Sequence, residues 1–168
     1  SGLQPGYAFN SAGFVVGADK VIRDGLAVGL AAGYLRGHSS IYSPGSGVVD
    51  SHSARFGGYA TAFTDALHAD FYLGGAVDLF STKRDIAFGG LSRSATANPL
   101  GAEINLDMGV GYDWKTTAWG TLSPFAGLGY DRMMIGSFTE DGAGALNLAV
   151  SRQTAESLRS RTGLKISD

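Results

Sequence analysis

The chain has 168 residues, 44% of them apolar, with 26 glycines, four prolines and no cysteine. Its 13 basic and 15 acidic residues are interspersed and leave a net charge of −2, so there is no electrostatic footprint for nucleic acid, and the lack of cysteine excludes disulfides, zinc-thiolate sites and thiol nucleophiles. Glycine at this level sits inside alternating segments, which argues against collagen and disordered tails, and no apolar run approaches the roughly 18 residues of a membrane helix.

Residues 9–22 read as a first strand, closed by Arg23-Asp24-Gly25, a compact turn with glycine available for positive φ. Residues 26–39 form a second, with Leu26, Val28, Leu30, Ala32 and Tyr34 on one face and Ala27, Gly29, Ala31 and Gly33 on the other. Residues 41–51, rich in Ser, Gly and Pro, read as a loop. The third strand, 52–63, is interrupted by Gly57-Gly58, and Thr64-Asp65-Ala66 turns the chain. In the fourth, Phe71, Leu73, Val77 and Leu79 oppose Asp70, Gly74, Ala76 and Asp78, and residues 84–100 read as a long polar connection.

The clearest alternation is in residues 101–115. Ala102, Ile104, Leu106, Met108, Val110, Tyr112 and Trp114 share one face, and Glu103, Asn105, Asp107, Gly109, Gly111 and Asp113 share the other. Trp114 and Trp119 bracket a short turn. The sixth strand sets Leu122, Ala126, Leu128 and Tyr130 against Thr121, Ser123, Gly127, Gly129 and Asp131, with an irregularity expected at Pro124, which lacks a ladder donor. After residues 136–147, the seventh sets Leu158, Leu164 and Ile166 against Arg159, Arg161, Gly163 and Lys165.

Short and long connections alternate, as in membrane barrels with tight turns inside and longer loops outside. Period-two alternation over more than ten residues suits a wall between lipid and water, so the expected fold is an all-β, antiparallel up-and-down transmembrane β-barrel with about seven strands. A lipid-facing charge would cost about 2–4 kcal/mol at the bilayer centre, and the oily faces carry none in their central parts. The opposite faces then make Glu103, Asp107, Asp113, Arg159, Arg161 and Lys165 lumen-lining, while Gly29, Gly109, Gly111, Gly127 and Gly129 keep the interior open or admit an inserted segment. Tyr112, Trp114 and Trp119 become interface anchors at the inner side. The same alternation also fits a soluble all-β module with one solvated face and a ligand between its sheets. A porin or adhesin barrel fits as well.

Chemistry finds little footing. His38, His52 and His68 have no metal-ligand spacing, there is no GxSxG elbow, and Gly127-Leu128-Gly129 lacks the third glycine of a dinucleotide site. Glu103, Asp107 and Asp113 could in principle work as paired carboxylates, but lining a lumen is the simpler use. No catalytic residue, metal site or cofactor is expected.

The runs Gly109-Val-Gly-Tyr-Asp-Trp114, Trp119-Gly-Thr-Leu-Ser-Pro-Phe-Ala-Gly-Leu-Gly-Tyr130 and Gly136-Ser-Phe-Thr-Glu-Asp-Gly-Ala143 resemble the β-domain of autotransporters, the translocator part of type V secretion in Gram-negative bacteria. Val16-Gly-Ala-Asp19, Gly25-Leu-Ala-Val-Gly29 and Ser157-Leu-Arg-Ser-Arg-Thr-Gly-Leu-Lys165 extend the resemblance over nearly all of residues 1–168. It implies a twelve-stranded barrel in the bacterial outer membrane with a helix threaded through its pore. The implied partners are the outer-membrane bilayer, the barrel-assembly machinery and the domain's own passenger segment. The seven strands correspond to the second to eighth of such a barrel, so residues 1–168 are expected to be a partial translocator domain that does not form a stable pore alone. Some members cleave the passenger with an asparagine in the threaded linker; no residue of this chain matches it.

Overall fold

The structure, a computed structural model, describes residues 6–42, 46–116 and 120–167. The alternating segments become long strands: β1 (Tyr7–Arg23), β2 (Leu26–Ile41), β3 (Ser46–Phe63), β4 (Leu67–Phe88), β6 (Leu100–Tyr112), β8 (Gly120–Ile135) and β11 (Gln153–Ser167). Between them lie four short ones, β5 (Leu91–Ala97), β7 (Trp114–Thr116), β9 (Phe138–Thr139) and β10 (Ala149–Val150). The long strands form one antiparallel sheet in the order β1-β2-β3-β4-β6-β8-β11, the up-and-down arrangement expected from the alternation. With 13 to 22 residues each, they are far longer than the five or six residues usual in soluble sheets.

Turn chemistry explains the tight ends. Gly25 adopts φ +75°, and a Cβ there would lie 2.3 Å from the Phe63 carbonyl oxygen, so no other residue fits the β1–β2 turn unstrained. At the β3–β4 turn the Leu67 N–H donates to Thr64 Oγ1 at 2.9 Å and the Thr64 N–H donates to the Leu67 carbonyl at 2.7 Å.

Two expected loops are strand instead. Residues 46–51 continue β3, because Val48 and Val49 are β-branched and pair with Lys83 and Thr82 of β4. Residues 84–100 are not a polar connection but a hairpin extension, with β4 running to Phe88 and returning as β5. Gly89 and Gly90, both at positive φ (54° and 83°), supply the two-residue turn whose twist matches its flanking strands. Asn98-Pro99 separates β5 from β6, which both pair with β4.

The irregularity expected at Pro124 lies in its partner. Pairing between β8 and β11 runs through Pro124 without a shift, whereas the other neighbour breaks between β6 and β7 at Asp113. Pro124 has no N–H to offer that side, and Ser123 Oγ donates instead to Asp113 Oδ1 at 2.5 Å.

Exposure is inverted relative to a soluble fold. Beside Pro99, the buried apolar side chains among the described residues are all alanines, Ala76, Ala95, Ala97 and Ala143, while Asp78 (2% exposed), Glu140 and Ser53 are buried and Leu30, Leu73, Leu79 and Ile104 lie open. No helix of the described residues is long and apolar enough to cross a membrane; any crossing falls to strands.

Candidate functional site: the polar face and its ion-pair ladder

Register divides the sheet into two faces. Leu73 pairs with Leu106, which pairs with Tyr130, and Phe71 with Met108 and Leu128 on the same outward side. One position along, Tyr72 pairs with Asp107, Asp107 with Gly129 and Gly129 with Arg159. The apolar face of β6 runs from Leu100 to Tyr112, which spans about 30 Å along the barrel normal once a tilt of about 40° is allowed for.

On the polar face the charges pair across strands. Arg161 Nη2 donates to Asp107 Oδ1 and Arg159 Nη2 to Asp131 Oδ2, while Asn105 Nδ2 donates to the other oxygen of Asp131 at 2.8 Å. Arg55 reaches Glu103 at 3.0 Å, and Ser53 Oγ donates to the buried Asp78. The Arg161–Asp107 contact leaps over β8, and glycine is what allows it. A Cβ at Gly127 would lie 2.7 Å from Arg161 Nε, and one at Gly129 would lie 3.1 Å from Asp107 Oδ2.

Several other glycines of this face receive rings. The Tyr59 ring occupies the space a Cβ at Gly29 would need (2.2 Å), Tyr72 that of Gly57 and Gly74, His68 that of Gly111 (2.1 Å), and Phe125 that of Gly163 (2.4 Å). In one register row His68, Gly111, Phe125 and Gly163 alternate large side chain and none. The expected open space at Gly29, Gly111, Gly127 and Gly129 is therefore taken up by neighbouring side chains; only at Gly109, where the nearest atom is 3.9 Å away, does the expectation describe what is there. The missed signal was the bulky residue opposite Gly29, Gly111 and Gly163, which needs register to see; Tyr72, over Gly57 and Gly74, stands diagonal to the first and two residues along its own strand from the second.

Of the sequence-selected residues, Glu103, Asp107, Arg159 and Arg161 come together in this ladder. Asp113 sits with Ser123 at the end of the ladder that carries the short turns, and Lys165 lies opposite Ser123 on β11. Tyr112 and Trp114 lie on the apolar side at the end of β6 and in β7, Trp114 opposite Leu122. Trp119 lies outside the described residues. Glu140, Asp131 and Arg84 were not anticipated.

Glu140 anchors the connection between β8 and β11. Arg84 Nε donates to its Oε1 at 3.0 Å and Arg84 Nη2 to its Oε2, the Leu148 N–H donates to Oε2 at 2.9 Å, and Arg84 Nη2 also reaches the Leu146 carbonyl at 3.1 Å. Thr96 and Asp141 exchange backbone hydrogen bonds of 2.8 and 2.9 Å. The connection thereby covers Ala95 and Ala97 of β5. The Arg84 hydrogen bonds, and secondarily the Leu148 N–H, hold the Glu140 carboxyl below its ordinary pKa against the opposing effect of burial.

Long strands with a continuous exposed apolar face on one side and paired charges on the other fit a bilayer wall, not a soluble sheet. A sequence model of the family described as autotransporter beta-domain matches residues 1–168. This chain belongs to that family. The autotransporter β-domain is an outer-membrane barrel and not an enzyme, which sets aside the paired-carboxylate use of Glu103 and Asp107. Among solved structures, the translocator domain of autotransporter NalP from Neisseria meningitidis superposes with a TM-score of 0.79 at 18% identity, covering 98% of this chain and 56% of that one. The β-domain of the Bordetella autotransporter BrkA does so with a TM-score of 0.60 at 22% identity, covering 95% of this chain and 62% of that one. The chain thus spans little more than half the length of the solved domains it matches. No curated protein sequence matches it.

Proposed function

We propose that residues 1–168 contribute part of the wall of an outer-membrane translocator that supports export of a passenger segment linked to the same polypeptide. The carrying observation is the inverted distribution of polarity: a continuous open apolar face of bilayer height on one side, and a cross-strand ladder of ion pairs on the other. In this reading Glu103, Asp107, Asp113, Arg159, Arg161 and Lys165 line the pore. Tyr112, Trp114 and Trp119 anchor the wall at the inner interface, where amphipathic rings are favoured. The sheet order ends at β1 and β11, and further strands of the barrel pair with both, since unpaired backbone groups are not tolerated in lipid. The barrel-assembly machinery inserts the whole.

Thiol labelling in cells producing the full-length parent tests this directly, because residues 1–168 contain no cysteine of their own. A membrane-impermeant reagent should reach Asp107→Cys and not Leu106→Cys, and a passenger arrested in transit should protect Asp107→Cys. Labelling of Leu106→Cys instead would reverse the faces. Equal labelling of Asp107→Cys with and without the arrested passenger would remove the export role while leaving the barrel.

A further inference from the structure

The outward face carries a second feature, away from the ladder. On β2 and β3 the register pairs Leu30 with Gly58, Ala32 with Phe56, Tyr34 with Ala54, Arg36 with His52 and His38 with Asp50, all on the apolar side. The lower rows form a shallow apolar groove of 940 Å³ bordered by Ala18, Leu30, Ala32, Phe56, Gly58 and Gly75, where small residues recess the wall between larger ones. Arg36 stands four residues above Ala32, about 13 Å along the strand, towards the end that carries the long connections.

The hydrogen-bonding state of the upper rows is uneven. Tyr34 Oη bonds His52 Nδ1; with the hydroxyl donating, the imidazole proton is on Nε2, which has no hydrogen-bond partner among the described residues. The Asp50 carboxylate is engaged by His38 Nδ1 at 2.8 Å, and Ser40 Oγ bonds His38 Nε2 at 3.3 Å. Lys83 pairs with Asp85 at 3.5 Å, and Arg132 with Glu156 at 3.4 Å. Arg36 has no hydrogen-bond or ion-pair partner among the described residues; Asp50, already bonded to His38, acts on it only through space. An arginine with five unused donors beside an imidazole N–H, above a recess for hydrocarbon, matches a phosphate head on an acyl chain.

We propose that Arg36 and His52 bind the phosphate of an anionic outer-leaflet lipid whose acyl chain lies in the groove beneath. This depends on the wall lying in the outer membrane and not on passenger export. Native mass spectrometry of the full-length protein, extracted in zwitterionic detergent, tests it with three probes: diphosphorylated lipid A, the same lipid dephosphorylated, and inorganic phosphate. The intact protein should retain the phosphorylated lipid over the dephosphorylated one, and Arg36→Gln should weaken that retention about tenfold, the size of a lost charge-assisted contact. Ala32→Phe, which fills the groove without touching a charge, should also weaken it, whereas Arg132→Gln should not. Arg36→Lys checks that the loss follows charge, with heat-modifiable migration confirming each barrel is folded. Equal retention by the intact protein and Arg36→Gln, or equal retention of both lipids, overturns the proposal. Displacement of the lipid by millimolar inorganic phosphate alone would overturn the role of the groove.

Discussion

The polar face is not uniform, and its two ends show different uses of the same strand geometry. Across β6, β8 and β11 it carries Asp107, Asp131, Arg159 and Arg161, tied over glycines into a ladder. Across β1 and β2 most of the equivalent positions, Val15, Gly17, Ala31, Gly33 and Leu35, are small or apolar, and the one charge is Asp19, which accepts from Tyr59 Oη at 3.4 Å over Gly29. Glycine has more than one role on this face, and Gly29 under Tyr59 shares that of Gly127. At Gly127 it makes room for a side chain to cross a strand; at Gly17 the nearest atoms to an added Cβ are the Leu30 carbonyl oxygen at 3.2 Å and the Ala31 Cβ at 3.6 Å, and nothing crosses. The lesson is that glycine content alone does not measure how open an interior is.

The largest expected effect comes from breaking the outward face that both regions share. Leu106→Arg puts a cation at mid-height on the apolar side and should cost about 2–4 kcal/mol, enough to abolish heat-modifiable barrel assembly in the full-length protein. Val16→Arg on β1 should act in the same direction. If only one of the two blocks assembly, the bilayer does not cover both regions alike.

The next prediction separates the regions. Gly127→Val drives a branched side chain into the Arg161 guanidinium and to within 3.0 Å of the Met108 carbonyl oxygen, and should cost about 1–3 kcal/mol in urea-unfolding measurements. Gly109→Ala, in the open part of the same strand pair, should change stability by less than about 0.5 kcal/mol. Comparable losses for the two would mean that the ladder does not run over Gly127.

How far all this could be read from sequence follows from what each feature depends on. Period-two patterning depends on neighbours along the chain, so the long strands, the faces of all but the first and third, and the Asp24-Gly25 and Thr64-Asp65-Ala66 turns were legible; at the third, Gly57-Gly58 hid the facing. The β4–β5 hairpin was misread because its residues alternate Arg, Ile, Phe and Ser too weakly to outweigh their polarity, although Gly89-Gly90 was a turn signal in plain view. The ladder's partners, Asp131 above all, and the ring-on-glycine pairs depend on register between strands far apart in sequence. The alternation that shows which face a residue takes says nothing of what stands opposite it. Arg84 and Glu140, 56 positions apart, are the extreme case.

Acid gives a smaller, local effect on the connection above the ladder. The Glu140 carboxyl is held below its ordinary pKa, so its pairing contributes stability that is fully present above the unfolded-state value of about 4.3 and is lost as pH falls through the lowered folded value. Hydrogen exchange at Leu148, whose N–H donates to Glu140, should therefore accelerate, after correction for intrinsic rates, only below about pH 4, and Glu140→Gln should show the faster exchange at every pH. The β1–β2 strands, with no such pair, should show no matching transition. Acceleration that begins near neutral pH would assign the change to a histidine instead.

The smallest effect tests what the ladder is for. Arg161 is 57% and Asp107 39% exposed, so their ion pair is screened and should be worth no more than about 1 kcal/mol. Asp107→Asn should thus leave barrel assembly and unfolding nearly unchanged while altering the charge along the polar face. If the face is a passage for a polypeptide, the substitution should show in transit kinetics of charged passengers before it shows in stability. A loss of several kcal/mol would instead make the ladder a brace that holds β6 to β11 across β8, and the contrast with the β1–β2 end, which has no ion pair across a strand, would then be mechanical and not electrostatic.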